Sequence, residues 1–203
     1  MSFLSVKFAI FLIVLLGLLI IFKDNEKQNV VLLIASYIFY SFVDYKFLLL
    51  LVVISFLSWF LGKKISNNIG ARWYLLVGVM INATVLCAFK YYNFFAGSFC
   101  RLIGKDYVAI NIIIPIGISF YIFQSISYIV DVYNKKTDAE ESLINVLLYI
   151  GFFPQIVSGP IVKSHMFMPQ IHTIRSINMQ AVCEGFQRFL LGIFKKKVVA
   201  DRL

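Results

Sequence analysis

Charged side chains are scarce in this sequence. Only 14% of its 203 residues are Asp, Glu, Lys or Arg, whereas about a quarter is usual in soluble domains. Histidine occurs twice and proline four times, and no polar or low-complexity stretch is long enough to form a linker or a soluble domain. The remainder is 61% hydrophobic with a mean hydropathy of +0.86, and this composition predicts an integral membrane protein.

The three cysteines, Cys87, Cys100 and Cys183, form neither an even-numbered framework nor a CxxC pair. We therefore expect no disulfide scaffold, no zinc or other metal site and no bound cofactor. The net charge of +9 does not indicate nucleic-acid binding, because the 19 Lys and Arg residues are scattered through loops. The expected partner is the lipid bilayer, with the basic residues at its surface.

Seven apolar runs follow one another, separated by short polar loops. A helix needs roughly 20 apolar residues to cross a bilayer. Val30–Val43 and Phe47–Leu61 are shorter, so this pair predicts either a tight helical hairpin or one crossing beside a re-entrant helix. Ala181–Phe194 is also too short to cross unaided. The other runs are Phe3–Phe22, Trp73–Phe89, Ile110–Val130 and Leu143–Val162.

These runs predict an all-α fold, a polytopic membrane helix bundle with short, broken or re-entrant helices, in a single domain over residues 1–203. Phe3–Phe22 is predicted to be a retained helix, because its apolar part is longer than the apolar region of a signal peptide, which has about 7 to 15 residues. The polar KDNEKQN that follows it lacks a cleavage pattern. Basic residues are divided too evenly between the loops to orient the chain.

The fifth apolar run carries a polar stripe. Gly117, Tyr121, Gln124, Tyr128 and Asp131 recur at steps of four, three, four and three, which places them on one face of a helix. Such a face is unsuited to lipid. Two interpretations stay open. Either Gly117 permits close helix packing while Gln124 bonds a neighbouring helix, or the stripe lines an aqueous or substrate tunnel.

The sixth run contains GFFPQIVSGPIVKSH, residues 151–165, where two prolines and two glycines interrupt apolar sequence. Pro154 ends or kinks a helix, and Ser158, Gly159 and Pro160 leave backbone groups that a regular helix cannot satisfy. In a bilayer such backbone is tolerated only where protein buries it or a water-filled cavity receives it. The segment therefore predicts a cavity wall or a turn at the interface, with an ordinary loop as the alternative.

Two histidines, His165 and His172, lie in SHMFMPQIHTIR, a mixed apolar and polar segment that predicts a position along the membrane interface. A histidine beside a cavity suits a general base. No carboxylate or serine lies at a spacing that would orient either ring, so we expect both to be interfacial polar residues. Lys90 is expected to extend its amine to the interface.

Four stretches carry a resemblance to a known family. In chain order they are SYIFYSFVDYKFLLLLVVISFLSWFLGKKI, PIGISFYIFQSISYIVDVY, YIGFFPQIVSGPIVK and GFQRFLLGIFKKKVVADRL. Together they resemble the N-terminal half of the membrane-bound O-acyltransferase (MBOAT) family, with the closest likeness to its bacterial alginate and other polysaccharide O-acetyltransferases. The resemblance extends from about Ser36 to the end of the sequence.

Such enzymes form a ring of membrane helices around a thinned centre, with a tunnel for an acyl group. The group passes from a cytoplasmic thioester donor towards an extracytoplasmic acceptor. The resemblance implies that the broken segment belongs to the wall or cap of this chamber. The residues it implies as tunnel or chamber lining are Gln124, Tyr128, Pro154, Gln155, Gly159, Pro160 and Lys163.

The catalytic histidine of the family lies in a tryptophan-histidine motif that this sequence does not contain. Trp59 and Trp73 are its only tryptophans, and neither precedes a histidine. No catalytic residue is therefore expected here, and His165 and His172 do not inherit that role. We expect the chain to begin naturally at its first methionine, to be the N-terminal part of a longer domain whose histidine lies beyond Leu203, and to be inactive alone.

The resemblance further implies transfer of an acetyl group to a hydroxyl of a cell-surface polysaccharide or peptidoglycan, with acetyl-CoA or another acyl thioester as donor. It implies a multi-pass protein of the bacterial inner membrane. The implied partners are an extracytoplasmic acetyl-transferring protein and the missing C-terminal half. Two other functions stay open: a non-catalytic membrane subunit, and a transporter, which would also use broken helices and a polar stripe.

Overall fold

The computed structural model describes residues 5–67, 70–156, 159–173 and 178–200. All regular structure in these ranges is helical, which confirms the predicted all-α class. The helices are α1 Val6–Ile21, α2 Asn25–Asp44, α3 Leu48–Ser66, α4 Ala71–Leu86, α5 Tyr92–Leu102, α6 Ile118–Tyr133, α7 Leu143–Gly151, α8 Phe153–Ile156, α9 Ser164–His172 and α10 Met179–Phe194.

Internal contacts divide the chain into two compact units. The first unit holds the described residues up to Gln28 and those from Thr173 onward. It therefore contains α1, α10 and the first residues of α2. The second holds Asn29–His172 and with it the rest of the helices. The expectation of one domain over residues 1–203 stays a prediction.

In the first unit, polar side chains define where the helices begin. The Ser5 hydroxyl accepts a hydrogen bond from the backbone N–H of Phe8 at 3.2 Å and so caps α1. The Asn178 side chain caps α10 by accepting from the N–H of Gln180 at 2.9 Å. Along both helices many apolar side chains are exposed, as is usual for helices that face lipid.

In the ranges that the structure describes, two helical stretches are long and apolar enough to cross a membrane, Asn25–Ser66 and Ala71–Leu102. The first consists of α2, a 3₁₀ turn at Tyr45–Phe47, and α3. The second consists of α4, a π-helical turn at Cys87–Tyr91, and α5. With 20 and 19 residues, α2 and α3 have about the length of a full crossing, because polar residues at their outer ends continue the helices beyond the apolar runs.

The helix of the fifth apolar run begins later than its sequence predicts. The run suggests a helix from Ile110, whereas α6 starts at Ile118. Pro115 has no N–H to donate, and Gly117 has a φ of +77°, so the regular helix starts only after them. Ile110 lies in the non-helical stretch before α6. The side chain of Asn93, in α5, bonds both the N–H and the carbonyl of Ile110, at 3.0 and 2.8 Å.

Small residues let the helices of the second unit approach closely. Gly62 of α3 lies against the Tyr128 ring of α6, and a methyl group at Gly62 would be 2.7 Å from that ring. One turn earlier, the hydroxyls of Ser58 and Ser125 are 2.6 Å apart. Small residues serve helix packing inside membranes in this way, because apolar lipid provides no hydrophobic drive for it.

We expect Gly62→Ala to destabilise the protein, because the added methyl must displace Tyr128, which is fully buried. Overpacking costs about 1–3 kcal/mol, which outweighs the gain of up to ~1 kcal/mol in helix propensity. Thermal unfolding in detergent measures this as a lower Tm. Gly17→Ala is the matched control, because nothing lies within 4 Å of its added methyl. A rise in Tm for both variants would contradict close packing of α3 on α6.

Candidate functional site

The predicted stripe of α6 is buried inside the second unit. Tyr121 and Tyr128 are 0% exposed, Gln124 is 1% exposed and Asp131 is 5% exposed. Gly117, which precedes the helix, is partly exposed. The stripe therefore faces protein, in agreement with the prediction that it is unsuited to lipid.

The irregular segment, residues 151–165, contacts this stripe. The carbonyl oxygen of Ile156 lies so close to Gly117 that a side chain at this glycine would collide with it. Further along the stripe, Nε2 of Gln124 donates to Oε1 of Gln155 at 2.6 Å, and both side chains are buried. A helix face and an irregular segment about 30 residues later thus form one interface.

Glycine and proline give the segment its shape. α7 ends at Gly151, which lies against the Tyr37 ring. Pro154 stands in the first turn of α8, where a helix has no internal partner for the N–H that proline lacks. The N–H of Gly159 donates to the carbonyl of Gln155 at 3.0 Å, and its Cα lies against that residue's backbone. The predicted interruption of the sixth apolar run is confirmed.

Three of the seven predicted lining residues have exposed side chains. These are Pro154, Pro160 and Lys163. The carbonyl of Lys163 accepts two backbone N–H groups in the first turn of α9, so this residue helps to start the helix. Ser158, which the sequence suggests as a source of unsatisfied backbone groups, lies outside the described residues.

Tyr128 bonds a different part of the chain. Its hydroxyl accepts the backbone N–H of Glu140 at 2.9 Å, in the loop after α6. Of the seven predicted lining residues, the structure therefore joins Gln124 to Gln155 and places Gly159 on the Gln155 backbone. A lining role for these residues stays a prediction.

Two contacts with carboxylates orient the histidines, contrary to the sequence expectation. On Asp131, Oδ2 accepts a hydrogen bond from the Ser164 hydroxyl at 2.7 Å and lies 3.1 Å from Nδ1 of His165. The expectation that no carboxylate or serine orients His165 is wrong, because its partner comes from α6, 34 residues earlier. This contact attaches the start of α9 to the end of α6.

His172 is paired in the same way, with Nε2 lying 2.7 Å from Oε2 of Glu140. The other oxygen of Glu140 accepts a hydrogen bond from Asn145 at 3.1 Å, and Asn145 in turn accepts one from Asn29 at 3.0 Å. These bonds join α2, α7, α9 and the loop after α6. One signal was visible in the sequence: His165 and His172 are seven residues apart, which places both rings on one helical face.

Each pairing fixes the orientation of an imidazole ring, which is how proteins prepare histidine for proton transfer and also how they attach helices. The side chains differ in access, because that of His165 is 32% exposed and that of His172 is 55% exposed, whereas their carboxylates are almost completely buried. Attachment of α9 is the effect that these contacts support.

Within the ranges that the structure describes, no group of three or more His, Cys, Asp and Glu side chains is placed to hold a metal ion. A cleft of about 700 Å³ opens between the end of α3, the start of α4 and the end of α6. Its charged lining residues are Arg72, Lys135 and Asp138, and none of the seven predicted lining residues contributes to it.

Comparison with known proteins finds relatives among O-acetyltransferases. The probable alginate O-acetylase of Pseudomonas aeruginosa is 36% identical over 96% of this chain, and the alignment covers 38% of that protein. The probable alginate O-acetylase of Azotobacter vinelandii is 34% identical over 96% of this chain, with 40% of that protein covered. The peptidoglycan O-acetyltransferase of Helicobacter pylori is 29% identical over 84% of this chain, with 38% covered.

The chain spans about two fifths of the length of these curated relatives. No family model matches it, and no solved structure gives a significant match. The relatives agree with the branch that the four sequence stretches resemble, and the apolar helices agree with a membrane protein. The chain is therefore a relative of the alginate and peptidoglycan O-acetyltransferases, which confirms its resemblance to the N-terminal part of a membrane-bound O-acyltransferase.

Proposed function

We propose that this chain is part of an O-acetyltransferase that crosses the bacterial inner membrane several times and acetylates hydroxyls of a cell-surface polysaccharide or peptidoglycan. The observation that carries the proposal is the 36% identity to a probable alginate O-acetylase over 96% of this chain. The acceptor class follows from relatives named for alginate and for peptidoglycan. Two long apolar helical stretches support the membrane location.

The proposed reaction is acyl transfer from a thioester to a hydroxyl. A histidine base removes the hydroxyl proton as the oxygen attacks the thioester carbonyl, the C–S bond breaks, and the departing thiolate takes up that proton. We propose acetyl-CoA as the ultimate donor and an extracytoplasmic acetyl-transferring protein as partner. Because neither tryptophan of this chain precedes a histidine, the base is supplied outside these 203 residues, and the chain is inactive without it.

The contribution of this chain is the wall of the acyl path. Gln124 and Gln155 are suited to it because they place a bonded amide pair inside an apolar bundle. The irregular backbone around Gly159 supports the same role, since membrane proteins tolerate such backbone where it is buried in protein or lines a cavity. A wall of this kind aligns donor and acceptor, which lowers the entropic part of the barrier.

We expect Gln124→Ala in the complete enzyme to lower acetyl transfer more than it lowers the amount of folded protein. The amide is held 2.6 Å from Gln155, so its loss changes the polar surface offered to the substrate. A loss of about 10-fold or more in transfer rate per folded enzyme is the expected size, because small misplacements in a site are costly. Acetyl groups on the isolated glycan, divided by the folded enzyme in detergent, measure it.

Ser125→Ala is the matched control for Gln124→Ala. Ser125 is the next residue, is equally buried, and bonds Ser58 of α3 on another side of α6. Its removal should lower activity only in proportion to folded protein. If Gln124→Ala behaves like Ser125→Ala, then Gln124 serves packing alone. Transport of glycan or acyl groups in liposomes without a thioester donor would instead favour a transporter.

A further inference from the structure

Two polar atoms on the α6 stripe have no hydrogen-bond partner in the described part of the chain. They are the hydroxyl of Tyr121 and Oε1 of Gln124, and both are fully buried. Buried polar atoms in native proteins are almost always bonded, because an unpaired one loses its interaction with water and gains nothing in return. Both atoms therefore require a partner that the described side chains do not supply.

The surroundings of Tyr121 contain groups that bind water well. Tyr40 and Asp44 of α2 both bond Ile116, which lies five residues before Tyr121. The Tyr40 hydroxyl donates to the carbonyl of Ile116 at 3.1 Å, and Oδ2 of Asp44 accepts the N–H of Ile116 at 3.4 Å. A carboxylate has about four acceptor positions, so Asp44 keeps capacity for a further donor. A water that accepts from Tyr121 and donates to Asp44 has the two polar partners that a buried water needs.

Gln124 extends this polar environment by one helical turn. Its Nε2 donates to Gln155, and among the described residues Oε1 has no donor. Residues three apart on a helix are neighbours on one face, with Cβ atoms about 5–6 Å apart. The two unpaired atoms thus belong to side chains that leave the same face of α6.

We propose that ordered water occupies the α6 stripe beside Tyr121 and Gln124, so that this side of the helix is a hydrated seam within the bundle. The seam carries polar atoms through an apolar surrounding at the place where Gln124 is proposed to line the acyl path. That use of the water rests on the proposed function, whereas the presence of the water rests only on the buried atoms described above.

Radiolytic footprinting of the complete protein in detergent tests the seam directly. X-ray pulses split water where it is bound, so the resulting hydroxyl radicals label a side chain beside ordered water even when bulk solvent does not reach it. Tyr121 and Tyr128 are both 0% exposed, but the Tyr128 hydroxyl is bonded to Glu140. Mass spectrometry should find Tyr121 labelled several-fold faster than Tyr128. Equal labelling rates would overturn the proposal.

Tyr121→Phe gives a second test, because a water-bonded hydroxyl and an unpaired hydroxyl predict opposite changes in Tm. If water bonds the hydroxyl, its removal lowers the Tm by about 2–4 °C, whereas removal of an unpaired hydroxyl raises the Tm. Tyr40→Phe is the matched control, because it breaks the 3.1 Å bond to Ile116 and lowers the Tm in either case. A higher Tm for Tyr121→Phe beside a lower one for Tyr40→Phe would overturn the seam. Neither measurement uses acyl transfer, so failure of the seam and failure of the proposed function are separate outcomes.

Discussion

Gly117→Ala is expected to destabilise the folded protein strongly. Gly117 has a φ of +77°, a conformation that costs an alanine about 1–2 kcal/mol. The new methyl would also collide with the carbonyl oxygen of Ile156, a backbone atom that cannot move without shifting the irregular segment. The two effects add to about 3–5 kcal/mol, a large part of the 5–15 kcal/mol that usually separates folded from unfolded protein. The yield of monodisperse protein in detergent and its Tm measure the loss.

Gly70→Ala separates the two causes of that loss. Gly70 has a φ of +74°, almost the same as that of Gly117, but the nearest atom to its added methyl is a Tyr74 ring carbon at 3.8 Å. Gly70→Ala therefore reports the conformational cost alone, and the difference between the variants reports the contact with Ile156. If both variants lose the same stability, the start of α6 does not rest against the irregular segment.

Asp131→Ala is expected to free α9 from α6. Asp131 is 5% exposed and accepts the Ser164 hydroxyl at 2.7 Å, and His165 lies 3.1 Å from the same oxygen. The variant leaves buried Ser164 without its acceptor and His165 without its partner, at a cost of about 2–4 kcal/mol. Amide hydrogen exchange by mass spectrometry should show faster exchange over Ser164–His172, together with a lower Tm.

A carboxylate in the loop after α6 provides the control for Asp131→Ala. The Glu141 side chain is exposed, and its backbone carbonyl, which accepts the Trp59 indole N–H at 3.1 Å, remains after substitution. Glu141→Ala should therefore leave exchange in α9 unchanged. Asp131→Asn keeps an acceptor oxygen and should fall between Asp131→Ala and the parent protein. Unchanged exchange in α9 after Asp131→Ala would show that the apolar contacts of α9 hold the helix alone.

Features that depend on neighbouring residues could be predicted from the sequence. The stripe from Gly117 to Asp131 was visible because helical periodicity is local, and its burial follows from the cost of polar groups in lipid. The interruption around Pro154 and Gly159 was visible because these residues limit the backbone itself. The helix class and the apolar runs follow from composition in the same way.

Features that depend on tertiary contact could not be predicted. The pairing of His165 with Asp131 joins positions 34 residues apart, and nothing in either local sequence specifies the other. The contact between Gln124 and Gln155 likewise joins positions that are distant in the sequence. The start of α6 could not be predicted for a different reason, because hydropathy cannot distinguish a non-helical apolar stretch from a helix, and only Pro115 and Gly117 carry that information.

The π-helical turn at Cys87–Tyr91 determines how α5 is rotated relative to α4 about the helix axis. A wider turn of this kind contains one residue more than an α-helical turn, and each residue of an α-helix rotates the next by about 100°. If the same residues formed a regular α-helix instead, α5 would be rotated by about that angle relative to α4. Asn93 would then point away from Ile110, to which it makes two hydrogen bonds. A single inserted residue thus determines where the chain is held before it enters α6.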